Sequence, residues 1–290
     1  MSDQAEGLRK LFVRDPIRLI SFLSAVPQVG KTSLIANLAV CFARAGKGVL
    51  LIDEMSGAND LAAAFGLSAS YDFWDVLSEG RPIEDVLVSP TPGVQILPAR
   101  IAIQRIGELN ARGRHAWLEA IQSLQGSVSM VLVDADQRHP LGFSPLGLSS
   151  AERYLVLSEA PHHVTASYAF IKNLTKAFSR RPYCLVVNKA RSRQKSASIQ
   201  ANLVALAAEQ QTGSLIRGGC IPLDTFWKKA AEHRLPVVTA YPEAPAALAI
   251  REIATDIAHV DRETASYPCL THLLEQIFRM TERLHSPVFA

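Results

Sequence analysis

The chain has 290 residues and a formal net charge of +3, and 48% of its residues are hydrophobic and 20% charged. This length suits one large α/β domain or two smaller ones, and the composition is that of an ordinary globular protein with an ample core. The small net charge gives no argument for a nucleic-acid or membrane partner, and no uninterrupted apolar run reaches the roughly 18 residues of a spanning helix.

Apolar runs rich in β-branched residues alternate with helical stretches along most of the chain. Continuous apolar runs of this length are typical of strands buried on both faces of a sheet. Their alternation with helices predicts βαβ units with right-handed crossovers, and therefore a mostly parallel sheet flanked by helices in one α/β domain over residues 15–260. In chain order the predicted elements are the strand Ile17–Ser24, helix Lys31–Ala45, strands Val49–Asp53 and Val94–Leu97, helix Gly107–Leu124, strands Met130–Asp134 and Tyr154–Leu157, helix Val164–Phe178, strand Cys184–Asn188, helix Ile199–Gln210, strand Leu215–Ile221, and helices Asp224–His233 and Ala244–Ala258.

Two segments lie outside this domain. Residues 1–14 form a short N-terminal arm, whose polar first residues are the reverse of a secretory signal. Residues 261–290 include a predicted helix at Thr271–Leu284, which we interpret as docked on the core or, alternatively, as a partner-binding or membrane-surface helix. Its apolar stripe contains Leu273, Leu274, Ile277, Phe278 and Leu284.

A phosphate-binding loop follows the first predicted strand. Ala25–Thr32 fits the pattern G-x-x-x-x-G-K-[ST] at every fixed position except the first, where alanine replaces glycine. In such a loop the backbone N–H groups around Gly30 wrap a phosphate, and the N-terminus of the helix that continues through Ser33 adds a partial positive charge. We expect Lys31 to neutralise phosphate oxygens and the hydroxyl of Thr32 to bind Mg²⁺.

Two aspartates end predicted strands near this loop. Asp53 ends the strand after the loop's helix, and Asp134 ends Met130–Asp134 in the form expected of a carboxylate that holds Mg²⁺ through water. One strand-end aspartate often only caps a helix, but two at the carboxyl edge of such a sheet favour a ligand site. We therefore predict Lys31, Asp53 and Asp134 as catalytic residues, with ATP or ADP and Mg²⁺ as cofactors. The predicted metal ligands are Thr32, Asp53 and Asp134.

The order of these motifs resembles the MinD/ParA group of P-loop ATPases and, within it, the FlhG (FleN) proteins that regulate the number and position of flagella. Gly93–Ala99, Ala160–Lys172 and Ile221–Pro242 resemble further segments of that family, so that the resemblance extends from residue 3 to about residue 258. By this resemblance Asn188 recognises the adenine edge, for which its amide offers both a donor and an acceptor.

The resemblance also assigns roles at the two ends of the domain. It places Pro222 and Asp224 of the closing segment at the nucleotide. Asp3–Arg9 matches the D-Q-A-x-x-L-R element of FlhG proteins, in which a short helix docks on the signal-recognition-type GTPase FlhF and stimulates GTP hydrolysis. The alternative is a charged terminus that matches by accident. The predicted partner-binding residues are Asp3, Gln4, Ala5, Leu8 and Arg9.

The chain departs from the family pattern at positions that serve hydrolysis. Val26 replaces a signature lysine that reaches the partner's phosphates across a dimer, and Met55 replaces the second aspartate of a D-x-D pair that positions the attacking water. A thioether is only a weak acceptor. Since each such group is typically worth about 2.7–4 kcal/mol in rate, we predict that nucleotide binding is retained and that hydrolysis is weak or absent.

Two interpretations of function follow from the resemblance. In the first, the protein is a nucleotide-binding regulator of flagellar number and placement that stimulates FlhF. In the second, it is an active MinD/ParA-type ATPase that cycles between a monomer and an ATP-bound homodimer on membrane or DNA. The resemblance also implies flagellar switch or transcription-factor partners. It implies a cytoplasmic location, with peripheral contact at the inner membrane or the cell pole as the alternative.

Overall fold

The computed structural model describes residues 17–55, 57, 60–124, 126–136, 144–150, 152–177, 182–259, 266–267 and 278. The predicted arm at residues 1–14 lies outside the described residues, and so does the predicted C-terminal helix apart from Phe278. None of the helices in the described part of the chain combines the length and apolar composition that crossing a membrane requires.

A mostly parallel sheet forms the centre of the protein, which confirms the predicted fold class. Within the described residues, antiparallel pairing joins β3 to β4 and β9 to the start of β1. The strand order is β3-β4-β2-β5-β1-β6-β7-β8, with β9 paired to β1 off this path. The strands are β1 (Ile17–Leu23), β2 (Val49–Asp53), β3 (Val88–Thr91), β4 (Val94–Pro98), β5 (Met130–Asp134), β6 (Glu152–Ser158), β7 (Tyr183–Ala190), β8 (Leu215–Pro222) and β9 (Ser266–Tyr267).

Helices cover both faces of this sheet. Successive strand residues point to opposite faces, and in β1 Leu19 joins the core on one side while Ile20 joins the core on the other. Because both sets are apolar, each face has to be covered. The helices are α1 (Lys31–Arg44), α2 (Leu61–Ala64), α3 (Phe73–Glu79), α4 (Ile83–Val86), α5 (Arg100–Gln104), α6 (Ala111–Ser123), α7 (Pro145–Ser149), α8 (Pro161–Ala177), α9 (Arg193–Glu209), α10 (Thr225–Glu232), α11 (Val237–Ala240) and α12 (Pro245–His259), with a 3-10 turn at Ile106–Glu108.

The central strands match the predictions closely, whereas three helix starts differ by three or more residues, one of them at Pro161 instead of Val164. The helix predicted from Gly107 begins at Ala111, because the side chain of Asn110 caps it by accepting a hydrogen bond from the Gly113 N–H at 2.9 Å. The helix predicted from Ile199 begins six residues earlier, at Arg193, after the capping residue Ser192. The edge strand β3 was not predicted.

Two short pieces of the C-terminal segment are described. Ser266–Tyr267 pairs with the first residues of β1. Phe278 is 8% exposed and its ring lies 5.7 Å from that of Trp117, which in turn makes an edge contact with Phe73 at 4.9 Å. This stripe residue therefore packs on the core, as the docked interpretation of the C-terminal segment requires. The remainder of the predicted helix stays a prediction.

Candidate phosphate-binding site

The phosphate loop lies between β1 and α1 at the carboxyl edge of the sheet. Gly30 has φ of 87° and forms the N-cap of α1. A Cβ atom on Gly30 would come within 2.4 Å of the Asn188 Nδ2, so glycine is required here by both the backbone conformation and the close approach. Gln28 also has a left-handed conformation, with φ of 61°, although it is not glycine.

The first residues of α1 converge on Asp134. The Lys31 Nζ lies 2.6 Å from Asp134 Oδ1 and also donates to the Ala135 carbonyl. The Thr32 hydroxyl donates to Asp134 Oδ2 at 2.6 Å. Lys31 is 6% exposed and Asp134 is fully buried, so this is a buried ion pair between residues more than a hundred positions apart. The structure thus brings together three residues that the sequence predicted as one site.

Asp53 lies beside Asp134, because the two residues pair in the register of β2 and β5. Its carboxylate accepts hydrogen bonds from the Met55 N–H at 2.9 Å and the Leu61 N–H at 2.6 Å. Burial and the neighbouring Asp134 raise the pKa of Asp53 well above its usual range. In this structure Asp53 therefore fixes the backbone between β2 and α2, and its predicted roles in catalysis and metal binding stay predictions.

Asn188 and Lys189, near the end of β7, contact the phosphate loop directly. The Asn188 Nδ2 donates to the Val29 carbonyl at 2.8 Å, while its Oδ1 accepts from the Lys189 N–H at 2.8 Å. Adenine recognition by Asn188 would use the second N–H of its Nδ2 and the second lone pair of its Oδ1, and it stays a prediction. The Lys189 Nζ donates to the Gln28 carbonyl at 2.7 Å, a contact that sequence reasoning missed.

A cleft of about 900 Å³ opens over this loop. Three lysines line it, Lys31, Lys189 and Lys228, and Met55 lines the same space. The carboxylate of Asp224, also at the cleft, accepts from the Phe226 and Ala246 N–H groups and so joins the starts of α10 and α12. The cleft therefore presents more positive than negative charge to a ligand. Its lining includes the predicted residues Gly30, Lys31, Thr32, Ser33, Asn188, Pro222 and Asp224.

Thr32, which lines the cleft, and the buried Asp134 beside it fit a magnesium ion. Mg²⁺ prefers oxygen ligands and is usually held by one or two protein groups together with water and phosphate. The Thr32 hydroxyl and the Asp134 carboxylate offer such oxygens 2.6 Å apart. Within the described residues, no group of three or more His, Cys, Asp or Glu side chains converges as a metal site. This chemistry suits a metal shared with a phosphate ligand.

Sequence reasoning assigned no role to Glu54, which is 1% exposed. Its carboxylate accepts from the Ser144 hydroxyl at 2.5 Å and from the Asp136 N–H at 3.0 Å, so it joins the second residue after β5 to the residue before α7. Burial raises the pKa of Glu54 to about 7. The signal that sequence reasoning could have used is an acidic residue directly after a buried strand. Because its two hydrogen-bond partners, Asp136 and Ser144, lie outside the cleft lining, the Glu54 side chain points away from the cleft that Met55 lines.

The chain is similar to known proteins over most of its length. The family model described as cellulose biosynthesis protein BcsQ matches residues 26–257. Antiactivator FleN of Pseudomonas aeruginosa is 27% identical over 244 residues, which cover 83% of this chain and 86% of that protein.

Solved structures of MinD proteins share the fold. A chain of the MinC:MinD cell division protein complex of Aquifex aeolicus matches with a TM-score of 0.64 at 22% identity, over 86% of this chain and 99% of that one. The septum site-determining protein MinD complexed with Mg-ADP from Pyrococcus horikoshii matches with a TM-score of 0.58 at 22% identity, over 84% of this chain and 97% of that one.

These similarities confirm two predictions. The structural matches confirm the MinD/ParA type of P-loop ATPase fold, and the similarity to FleN confirms the resemblance to the FlhG (FleN) proteins. The family model extends from Val26 in the phosphate loop to Ile257 in α12 and so includes every residue that lines the cleft except Ser24. The chain therefore belongs to the family described as cellulose biosynthesis protein BcsQ, and it has the fold of the MinD/ParA P-loop ATPases.

Proposed function

We propose that this protein binds ATP or ADP with Mg²⁺ and acts as a nucleotide-dependent regulator. The observation that carries the proposal is the convergence of Lys31 and Thr32 on Asp134 below a loop that opens into a lysine-lined cleft. Backbone N–H groups at a helix N-terminus and nearby cations are a recurrent combination for binding phosphate. The similarity to FleN supports a regulatory role for that binding.

Nucleotide binding requires a rearrangement of the contacts at the base of the cleft. The Lys31 ammonium has to exchange the Ala135 carbonyl and Asp134 for phosphate oxygens. Thr32 and Asp134 would then hold Mg²⁺, which when bound neutralises phosphate charge. Asp53 keeps the backbone after β2 in place beside this pair.

In our proposal this site binds a nucleotide but hydrolyses it slowly or not at all. Met55 lines the cleft at the position where the family has a water-positioning aspartate, and its sulfur orients water poorly. Val26, at the signature-lysine position, packs against the core instead of carrying a charge. The combination supports a protein that holds a nucleotide and turns it over slowly or not at all.

Calorimetric titration with ATP and with ADP in Mg²⁺, followed by a phosphate-release assay on the same sample, tests this proposal. We expect both nucleotides to bind, with little phosphate released. A Thr32→Val variant should lose the Mg²⁺ dependence of binding, because it keeps the side-chain volume and removes the hydroxyl. Absence of binding would contradict the nucleotide site, and turnover like that of an intact family member would contradict the weak hydrolysis.

We further propose that regulation acts on an FlhF-type GTPase through the arm at residues 1–14. The support is the D-Q-A-x-x-L-R match that includes Gln4. Deletion of residues 1–12 should abolish stimulation of GTP hydrolysis and leave the melting temperature unchanged, and Gln4→Ala in the full chain should do the same. Stimulation by the truncated protein equal to that of the full chain would reject this role.

Two alternatives have specific support. The family model favours a role in cellulose biosynthesis, which predicts lower cellulose content in a deletion strain and no effect on FlhF. The residues Lys31, Thr32 and Asp134, which the structure brings together, are also ones that an active MinD/ParA-type ATPase needs. Sizing the protein with and without ATP and Mg²⁺ tests the latter, since a nucleotide-driven homodimer despite Val26 favours a cycling ATPase.

Our proposal also extends to location and partners. A nucleotide-dependent regulator of this type would work in the cytoplasm, with peripheral contact at the inner membrane or cell pole and with flagellar switch or transcription-factor partners. The localisation of a fluorescent fusion of the full chain tests this. Uniform distribution would contradict a polar or membrane role.

A further inference from the structure

Two neighbouring side chains of β7 hold consecutive carbonyls of the phosphate loop. The Lys189 Nζ donates to the Gln28 carbonyl at 2.7 Å, and the Asn188 Nδ2 donates to the Val29 carbonyl at 2.8 Å. These bonds join parts of the chain that are 161 and 159 residues apart in sequence. The loop is thereby attached to the strand that lies two positions from β1 in the sheet.

The loop needs such external contacts because its sequence provides little glycine. Residues 25–29 are Ala-Val-Pro-Gln-Val, and Gln28 takes a left-handed conformation with φ of 61°. A residue with a Cβ atom adopts that region at a cost that glycine does not have. The conformation of this loop therefore depends on bonds from outside it.

Lys189 is itself in a strained conformation. Its φ is 57°, and the pairing of β7 with β8 shifts register between Val187 and Ala190, at the place where Lys189 lies. Lysine has no intrinsic preference for this region, and strained residues that the surrounding structure holds in place cluster at functional sites. The contact with the loop explains why this strained conformation is kept, because in it the Lys189 ammonium reaches the Gln28 carbonyl.

We propose that Lys189 is a positioning residue for the phosphate loop. Its ammonium holds the Gln28 carbonyl, and the loop's N–H groups are thereby kept directed toward the cleft before a phosphate arrives. Lys189 acts from within the same chain, whereas the missing signature lysine would act across a dimer. The inference rests on the proposed nucleotide binding for its functional consequence, and the positioning itself can be measured without a nucleotide.

Lys228 provides a matched control. It lines the same cleft as Lys189 and carries the same charge, but it forms its ion pair with Glu232 of its own helix at 3.9 Å. If Lys189 contributed only positive charge to the cleft, Lys189→Met and Lys228→Met would have similar effects. Both residues are exposed, so we expect both variants to fold with unchanged melting temperatures.

The first experiment is hydrogen–deuterium exchange of the peptide that contains residues 25–30 in the nucleotide-free protein. Lys189→Met should accelerate exchange of this peptide about tenfold, as expected from loss of a charge-assisted hydrogen bond. Lys189→Arg should remain close to the wild type, and Lys228→Met should leave the peptide unchanged. Unchanged exchange in Lys189→Met would overturn the proposal.

The second experiment is calorimetric titration of the same variants with ATP, ADP and adenosine. Lys189→Met should weaken ATP and ADP binding about tenfold and leave adenosine binding unchanged, because the loop contacts phosphate and not the base. Unchanged ATP and ADP binding in Lys189→Met, or a matching loss for adenosine, would overturn the proposal. If the wild-type protein binds neither ATP nor ADP, the proposed function fails, and the exchange result still decides whether Lys189 positions the loop.

Discussion

Replacing Lys31 should destabilise the nucleotide-free protein as well as remove nucleotide binding. The Lys31 ammonium lies 2.6 Å from a carboxylate oxygen of Asp134, and both side chains are buried. Asp53 and Glu54 are buried close to the same carboxylate, since Asp134 raises the pKa of both. Lys31 is therefore the direct ion-pair partner of Asp134, and its charge also acts to lower the pKa of the buried Glu54.

The expected magnitude follows from this burial. Removing one partner of a buried ion pair typically costs about 3–5 kcal/mol, because the other charge is left buried and uncompensated. We expect Lys31→Met, which keeps most of the side-chain volume, to lower the free energy of unfolding by about 3 kcal/mol. The Thr32 hydroxyl still donates to Asp134 in this variant, which places the loss at the lower end of the range.

A double-mutant cycle in urea, without nucleotide or Mg²⁺, measures this effect. Lys31→Met together with Asp134→Asn removes both charges, so the double variant should be more stable than Lys31→Met alone. The expected coupling energy is about 2 kcal/mol or more. The reasoning would be refuted if the stability loss of the double variant equalled the sum of the two single losses to within about 0.5 kcal/mol, because additive losses indicate that the two charges do not interact. If the expected coupling is measured, variants of Lys31 need a stability control before they are used to test nucleotide binding.

Three further predictions concern other parts of the site and the core. Burial raises the pKa of Glu54 from 4.5 to about 7. The stabilising contribution of Glu54 is therefore fully present below pH 4.5 and is lost as the pH rises through about 7. Without Mg²⁺ and nucleotide, Glu54→Gln should therefore reduce the fall in unfolding free energy between about pH 4.5 and pH 7 by up to about 1.4 kcal/mol per pH unit; equal slopes in both proteins would count against this. Gly30→Ala should lower stability by about 2 kcal/mol and abolish nucleotide binding, because the added Cβ meets Asn188 and the left-handed backbone is strained; a thermal melt and an ATP titration check it, and a variant that binds ATP normally contradicts it. Phe278→Ala should cost about 3 kcal/mol in a urea titration, because its ring packs on Trp117, whereas a change below about 0.5 kcal/mol would show that the C-terminal segment adds little to the core.

Much of the fold could be predicted from local sequence patterns. The strands ending at Asp53 and Asp134 were predicted with their observed bounds, because a buried parallel strand is a continuous apolar run that a polar residue ends. The short helices between β2 and β3 were missed, since four-residue helices such as α2 have too little periodicity to be recognised. The edge strand β3 was missed because it pairs antiparallel with β4 beyond a turn at Gly93, a contact that its own composition does not signal.

Local patterns of residues predicted the phosphate loop, the helix after it and the strand-end aspartates, because each depends on residues within a few positions of one another. The use of their side chains became clear from the three-dimensional arrangement of the strands. It showed that Lys31 pairs with Asp134, that Asp53 binds backbone N–H groups, and that Lys189 holds the loop. These contacts depend on the order of strands in the sheet, which places residues more than a hundred positions apart side by side. No local pattern of residue types encodes that order, so the positions of the chemical groups could be predicted, but their partners could not.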